Sequence, residues 1–151
     1  MIFVNRKDTA AFLQKFIGDT GGKRAQILTS QLTDAERDQI IDAFRQDLFP
    51  VLISTNVLAR GIDVPAIDIV INYDIPQTSN FGYMEPDCAN YLHRVGRTGR
   101  FMTDGLCLTF VEDEVEEAMM KKISTHWETE FQEISSFEEF MEIFYKMRPF
   151  L

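Results

Sequence analysis

Short runs of β-branched residues, recurring between amphipathic segments, constrain this chain more than any other feature. Val51–Ser54 and Ile67–Asn72 are dense in Val and Ile. They read as strands covered on both faces, as in a parallel sheet whose crossovers are helices. Ile2–Val4, Ala25–Leu28 and Leu106–Val111 add strands, and Phe131–Ile134 reads as a last one. Between them the spacing predicts a helix from an Asp8 cap to about Ile17, with Ala11, Leu13, Phe16 and Ile17 inward. Thr33-Asp-Ala-Glu36 is a capping-box sequence opening a helix to about Gln46, with Ile40, Ile41 and Phe44 on one face. Further helices are expected over Ala89–Val95, Glu114–Ser124 and from Ser136 to about Met147, and Pro76–Asp87 reads as a loop. The expectation is an α/β fold of five or six mainly parallel strands with helices on both faces. One domain accounts for residues 1–151.

Composition narrows the functional classes. Cys88 and Cys107 have no CxxC spacing, so neither a disulfide framework nor a metal knuckle is expected. No apolar run reaches the roughly 18 residues a membrane span needs. The net charge of −9 argues against nucleic acid at first sight. Its distribution matters more: residues 1–111 hold 11 Lys/Arg against 13 Asp/Glu, whereas residues 112–151 hold 4 against 11. The tail carries the acidity, which leaves room for a local basic groove elsewhere.

The most informative stretch is His93-Arg-Val-Gly-Arg-Thr-Gly-Arg100. Three arginines at three-residue intervals, separated by glycines, make a poor core and a poor helix. Guanidinium forks match phosphate oxygens, so the run suits an anion site, although an Arg-rich turn tied to acidic neighbours has the same composition. Thr55-Asn-Val-Leu-Ala-Arg-Gly-Ile-Asp63 follows a buried strand, where open parallel sheets place ligands. Thr55 offers a hydroxyl, Gly61 a close backbone approach and Asp63 an acceptor for a ribose hydroxyl, and the segment reads equally as a strand end with a tight turn.

These two segments resemble conserved motifs of DEAD-box RNA helicases, in the C-terminal, RecA-like lobe. Ile2-Phe-Val-Asn5, Glu36-Arg37 with Phe44-Arg45, and Ile71-Asn-Tyr-Asp-Ile-Pro76 match other motifs in the family's order. The resemblance implies that Arg97 and Arg100 are arginine fingers on the ATP γ-phosphate, and that Asp63 contacts the ribose beside Gly61. It implies RNA-backbone contacts from Asn5, Arg6, Arg37, Thr55 and Gly61, and interlobe contacts from Arg60, His93 and Arg94. Taken alone, Arg37 would be an ordinary solvated helix charge. Departures fall at Thr29-Ser30, Asp34 and Met102, where many members carry His-Gly, Gln and Gly. Fourteen residues separate Pro76 from Tyr91, which, with the Leu-Thr-x-x-Glu-Arg-Asp helix start, resembles the mRNA-export branch at the cytoplasmic face of the nuclear pore.

No G-x-x-x-x-G-K-[ST] loop and no Asp-Glu-Ala-Asp motif occur, and Gly18–Arg24 has the wrong spacing and context for a phosphate loop. The resemblance therefore implies ATP and Mg2+ held mainly by an N-terminal lobe, with this lobe inactive alone. A strand at the very start of the chain fits a piece of a longer polypeptide. The implied partners are single-stranded RNA, that N-terminal lobe and a protein activator at the nuclear pore, with no membrane, in cytoplasm and nucleus. A Gln-rich DExH-type helicase is a poorer match. A non-catalytic interaction module derived from a helicase lobe is the reading from a different class.

Overall fold

The computed structural model describes residues 1–55, 67–80, 83–98 and 105–147. Strands β1 (Ile2–Phe3), β2 (Ala25–Leu28), β3 (Val51–Ser54), β4 (Ile69–Asn72) and β7 (Leu106–Thr109) form one sheet in the order β2-β3-β1-β4-β7. All four pairings are parallel, with Ile2 opposite both Ile53 and Ile71. Consecutive strand residues point to opposite faces, so Leu52 and Ile53 enter different cores. Leu52 packs with Phe3, Leu28, Ile41, Phe49 and Val70, beneath α2 (Asp34–Arg45). Ile53 packs with Val4, Ala10, Leu13 and Ala25, beneath α1 (Lys7–Gly21). A third cluster, Ile75, Tyr91, Met119 and Ile123, joins α3 (Cys88–Val95) to α4 (Glu114–Trp127). The helix α5 (Phe137–Met147) has no fully buried residue.

The expected fold class is found, with corrections in detail. Helix α1 starts at Lys7 behind Arg6, which makes no capping bond, so Asp8 lies in the first turn instead of capping it. It continues to Gly21 because the stop is Gly22, whose φ of 58° gives the left-handed C-terminal turn. Its inward stripe is Ala10, Leu13, Gln14 and Ile17, with Gln14 donating to the Ala25 carbonyl at 2.8 Å. Ala11 faces solvent, and Phe16 is 52% exposed, stacked on an equally outward Phe12. Phase overrode hydrophobicity there. The Thr33 capping box is present as read: Thr33 N–H donates to Glu36 Oε2 at 2.8 Å and Glu36 N–H to Thr33 Oγ1 at 3.3 Å.

The segment expected as a loop is a hairpin, β5 (Gln77–Asn80) with β6 (Tyr83–Pro86), antiparallel with Gln77 opposite Pro86. Its polar residues satisfy one another's backbones, and Asp87 N–H closes its base on the Pro76 carbonyl at 2.8 Å. Phe131–Ile134 is not a strand: Phe131 turns in to meet the Tyr91 ring edge at 5.9 Å, and β7 remains the sheet edge among the described residues. No described helix is long and apolar enough to cross a membrane.

Candidate nucleotide and RNA face

The carboxyl ends of the parallel strands bring Asn5, Thr29, Thr55 and Tyr73–Asp74 to one edge of the sheet. Thr55 is buried at 8% exposure, and its N–H donates to the Leu28 carbonyl at 3.1 Å, fixing the end of β3 against β2. Asn5 follows β1 and is spanned by local bonds. Its N–H donates to Asp74 Oδ2 at 2.6 Å and its Nδ2 to the Ile75 carbonyl at 2.7 Å. Its Oδ1 accepts from Arg94 Nη2 at 3.2 Å, so both ends of the Asn5 amide are engaged inside the lobe, which leaves Arg6 as the solvent-facing member of the pair. Arg6 meets Asp8 at 3.7 Å with both side chains exposed, a contact of little energetic weight.

Arg37 sits in the first turn of α2, close to the β2 end. Its side chain is 20% exposed, pairs with Asp34 at 2.9 Å and donates to the Leu32 carbonyl at 3.4 Å. Its Nε is buried without a hydrogen-bond partner among the described residues. The partner Asp34 is itself one of the departures from the family pattern.

Arg94 lies in the last turn of α3, yet only 1% of it is exposed. Helical side chains lean toward the helix N-terminus, so its guanidinium reaches back to the strand ends. It donates to the Asp74 carbonyl at 2.8 Å, Asn5 Oδ1 at 3.2 Å and Asn72 Oδ1 at 3.3 Å, and lies 5.0 Å over the Phe3 ring. Burial pulls the guanidinium down to about 10, against the opposing charge of Asp74. This interior position differs from the interlobe contact implied by resemblance. Asn72 in turn donates to Thr109 Oγ1 at 3.2 Å and Cys107 Sγ at 3.5 Å, and Thr109 shares a 3.0 Å bond with the Tyr91 phenol. Burial pushes Tyr91 up to about 12 and Cys107 up to about 11.

After α3 the chain makes a tight turn. Gly96 N–H donates to the Leu92 carbonyl at 2.8 Å, Arg97 N–H to the Arg94 carbonyl at 3.1 Å, and Thr98 Oγ1 to the Val95 carbonyl at 2.8 Å. A Cβ on Gly96 would stand 3.2 Å from the Leu92 carbonyl oxygen, a tight approach at this turn. Ile67 N–H donates to the Arg97 carbonyl at 3.3 Å, and Ile67 bridges Thr98. The Arg97 backbone therefore lies beside the amino end of β4, with Arg97 half-buried and His93 exposed. Arg60, Gly61, Asp63, Arg100 and Met102 lie outside the described residues. The sequence reading missed roles for Asn72, Asp74 and Thr109; the signal was a lone Asn ending an otherwise apolar strand.

A parallel sheet with helices on both faces, ending α3 in an arginine–glycine turn, defines a RecA-like lobe. The helicase conserved C-terminal domain family matches residues 1–102, and the chain belongs to that family, as a C-terminal lobe of the DEAD-box kind. It is similar to the ATP-dependent RNA helicase dbp5 of Sclerotinia sclerotiorum, 46% identical over 84% of this chain and 27% of that protein. Against DBP5 of Candida glabrata it is 48% identical over 76% of this chain and 22% of that one. The chain thus spans about a quarter of the curated relatives it matches. Among solved structures, the C-terminal domain of the DEAD-box protein Dbp5 overlays with a TM-score of 0.84 at 38% identity, covering 96% of this chain and 80% of that one. S. cerevisiae Dbp5 bound to RNA and ADP BeF3 overlays at 0.83 and 36%, covering 98% and 37%.

Proposed function

We propose that this chain is the C-terminal half of an ATP-dependent RNA helicase motor, supplying arginine fingers to ATP and half of an RNA-backbone groove. The observation that carries it is the Gly96–Thr98 turn, tied at three points so that the Arg97 side chain springs from a fixed backbone. A finger must be placed before charge develops on the transferring phosphoryl group, because preorganised charge acts without reorganising. Arg97 and Arg100 take that part, with Asp63 and Gly61 at the ribose. Arg6, Arg37 and Thr55, with the Gly61 backbone, hold RNA phosphates and read no bases, and Asn5 orders the strand end beside them. Arg60 and His93 face the N-terminal lobe. No group of three or more metal-ligating side chains stands among the described residues, and the reading assigns Mg2+ and most of the ATP contacts to that other lobe.

Relatives support the partners. Dbp5 has been solved with RNA and ADP BeF3, with Gle1 and IP6, and with Nup159, Gle1, IP6 and ADP. The reading extends these to this chain as an RNA remodeller of the mRNA-export branch, working at the nuclear pore between nucleus and cytoplasm with a protein activator. The test is RNA-stimulated ATP hydrolysis by this chain, by an N-terminal ATP-binding lobe and by the two joined. Turnover only in the joined form, lost about a thousandfold on Arg97→Ala or Arg100→Ala, is the expected result. A folded, joined protein that stays silent would instead favour the non-catalytic interaction module.

A further inference from the structure

We propose that Arg94 and Asn72 are positioning residues that couple the RNA-facing strand ends to the finger turn. The inference deepens the function proposed above and rests on it.

Arg94 touches both ends of the lobe's machinery at once. Its guanidinium meets Asn5 after β1, Asn72 at the end of β4 and the Asp74 carbonyl just beyond. Its own carbonyl holds the Arg97 N–H, and the next residues of the turn are held by Val95 and Ile67. Asn72 ends β4 and Ile67 lies two residues before its start, so the two sets of contacts are roughly 15 Å apart along the extended chain. Arg94 bridges that gap as a whole residue, with its guanidinium on the strand ends and its backbone carbonyl on the finger turn. A shift of β1 when RNA seats beside Asn5 is thereby passed to the Arg97 backbone through a planar, multiply bonded group instead of a loop.

Asn72 makes the link directional. Its amide nitrogen is committed to Thr109 and Cys107, which turns its oxygen toward Arg94. Thr109 also holds Tyr91, one turn before Arg94 on the same face of α3. Helix α3 is therefore pinned at two adjacent turns to two paired strands, Tyr91 to β7 and Arg94 to β4, which removes rolling as a way to absorb the shift. An ordinary apolar core would pack α3 without this cost, since burying a guanidinium is unfavourable unless it is well paired.

Asn72→Ala is the test, because among the described residues the Asn72 side chain bonds to Cys107, Thr109 and Arg94 and to none of the proposed ATP or RNA groups. Amide hydrogen exchange on this chain should speed at Arg97 and Ile67 by about tenfold relative to β2 and β3. In the two-lobe protein, RNA-stimulated kcat should fall roughly ten- to a hundredfold, with KM for ATP changed by less than about twofold. Asn72→Asp keeps an acceptor for Arg94 and should recover most of both readings. Unchanged exchange and unchanged kcat in folded Asn72→Ala would overturn the proposal, as would Asn72→Asp behaving like alanine. If the alanine variant does not fold, Asn72→Ser is read by the same criteria. Should Arg97→Ala leave turnover intact, the finger reading fails on its own, and the exchange result still decides whether Asn72 orders the turn.

Discussion

Replacing Arg94 with Met asks whether the buried cation stabilises the lobe or burdens it. Met keeps most of the stem and its contact with the Phe3 ring. It removes the donors to Asn5 Oδ1, Asn72 Oδ1 and the Asp74 carbonyl. Hydrogen bonds from a charged donor contribute about 1.5–3 kcal/mol each, so three amount to about 4.5–9 kcal/mol. Against this stands relief of burial: the lowering of the guanidinium to about 10 corresponds to roughly 3 kcal/mol. The bonds win by about 1–6 kcal/mol, with a central value near 3. For a chain of this size that is a fall in Tm of about 6–12 °C. Thermal and urea unfolding followed by circular dichroism measure it. A Met variant as stable as the parent, or more stable, would refute the reasoning and show that the guanidinium is a net liability.

Other outcomes follow from named contacts. Thr33→Ala removes the cap of α2 and should cost about 1 kcal/mol in urea unfolding. Thr33 bonds hold the Glu36 carboxyl below its usual range, so its contribution is present above the ordinary carboxylate value and fades as pH falls through the lowered one; an acid titration of α2 amide shifts should show this. Asp34→Asn frees Arg37 from its ion pair and should tighten RNA binding about two- to fivefold at low salt, read by fluorescence anisotropy. No change would mean Arg37 does not meet phosphate. Cys107 and Tyr91 are raised to about 11 and 12 from 9 and 10, so the unfolded chain loses those protons first. Stability from both groups is full below about pH 9 and declines as pH rises through 11 and 12, measurable by urea midpoints from pH 8 to 11.

Much of the fold was legible because strand and helix periods rarely conflict here. Val51–Ser54 is found where read, since a covered strand announces itself as an apolar run, and Ala25–Leu28 is found too, as an edge strand with Gln26 exposed. The Thr33–Glu36 box needed only local spacing. Failures came where tertiary partners decide. Phe16 is apolar but out of phase with Leu13 and Ile17, and Gln14 holds the inward place because a strand-end carbonyl needed a donor. Gln77–Pro86 has no apolar alternation, so only cross-strand pairing reveals the hairpin. At the site, the arginine–glycine run pointed to the turn, but residue type alone did not set Arg94 apart as a buried group. What separates them is three acceptors from Asn5, Asn72 and Asp74, up to 89 residues away in sequence.

The placement of β1 has a consequence for how such a lobe is made. It is a two-residue strand at the middle of the sheet, and its neighbours come 51 and 69 residues later, at Ile53 and Ile71. At roughly 5–20 residues per second of synthesis, its apolar segment waits about 3–14 s for both partners after leaving the ribosome. During that interval two open strand edges are available to any passing chain. Pairings between residues this distant also raise contact order, which slows folding. A nascent lobe of this topology therefore depends on protection during translation more than one whose central strand is made last.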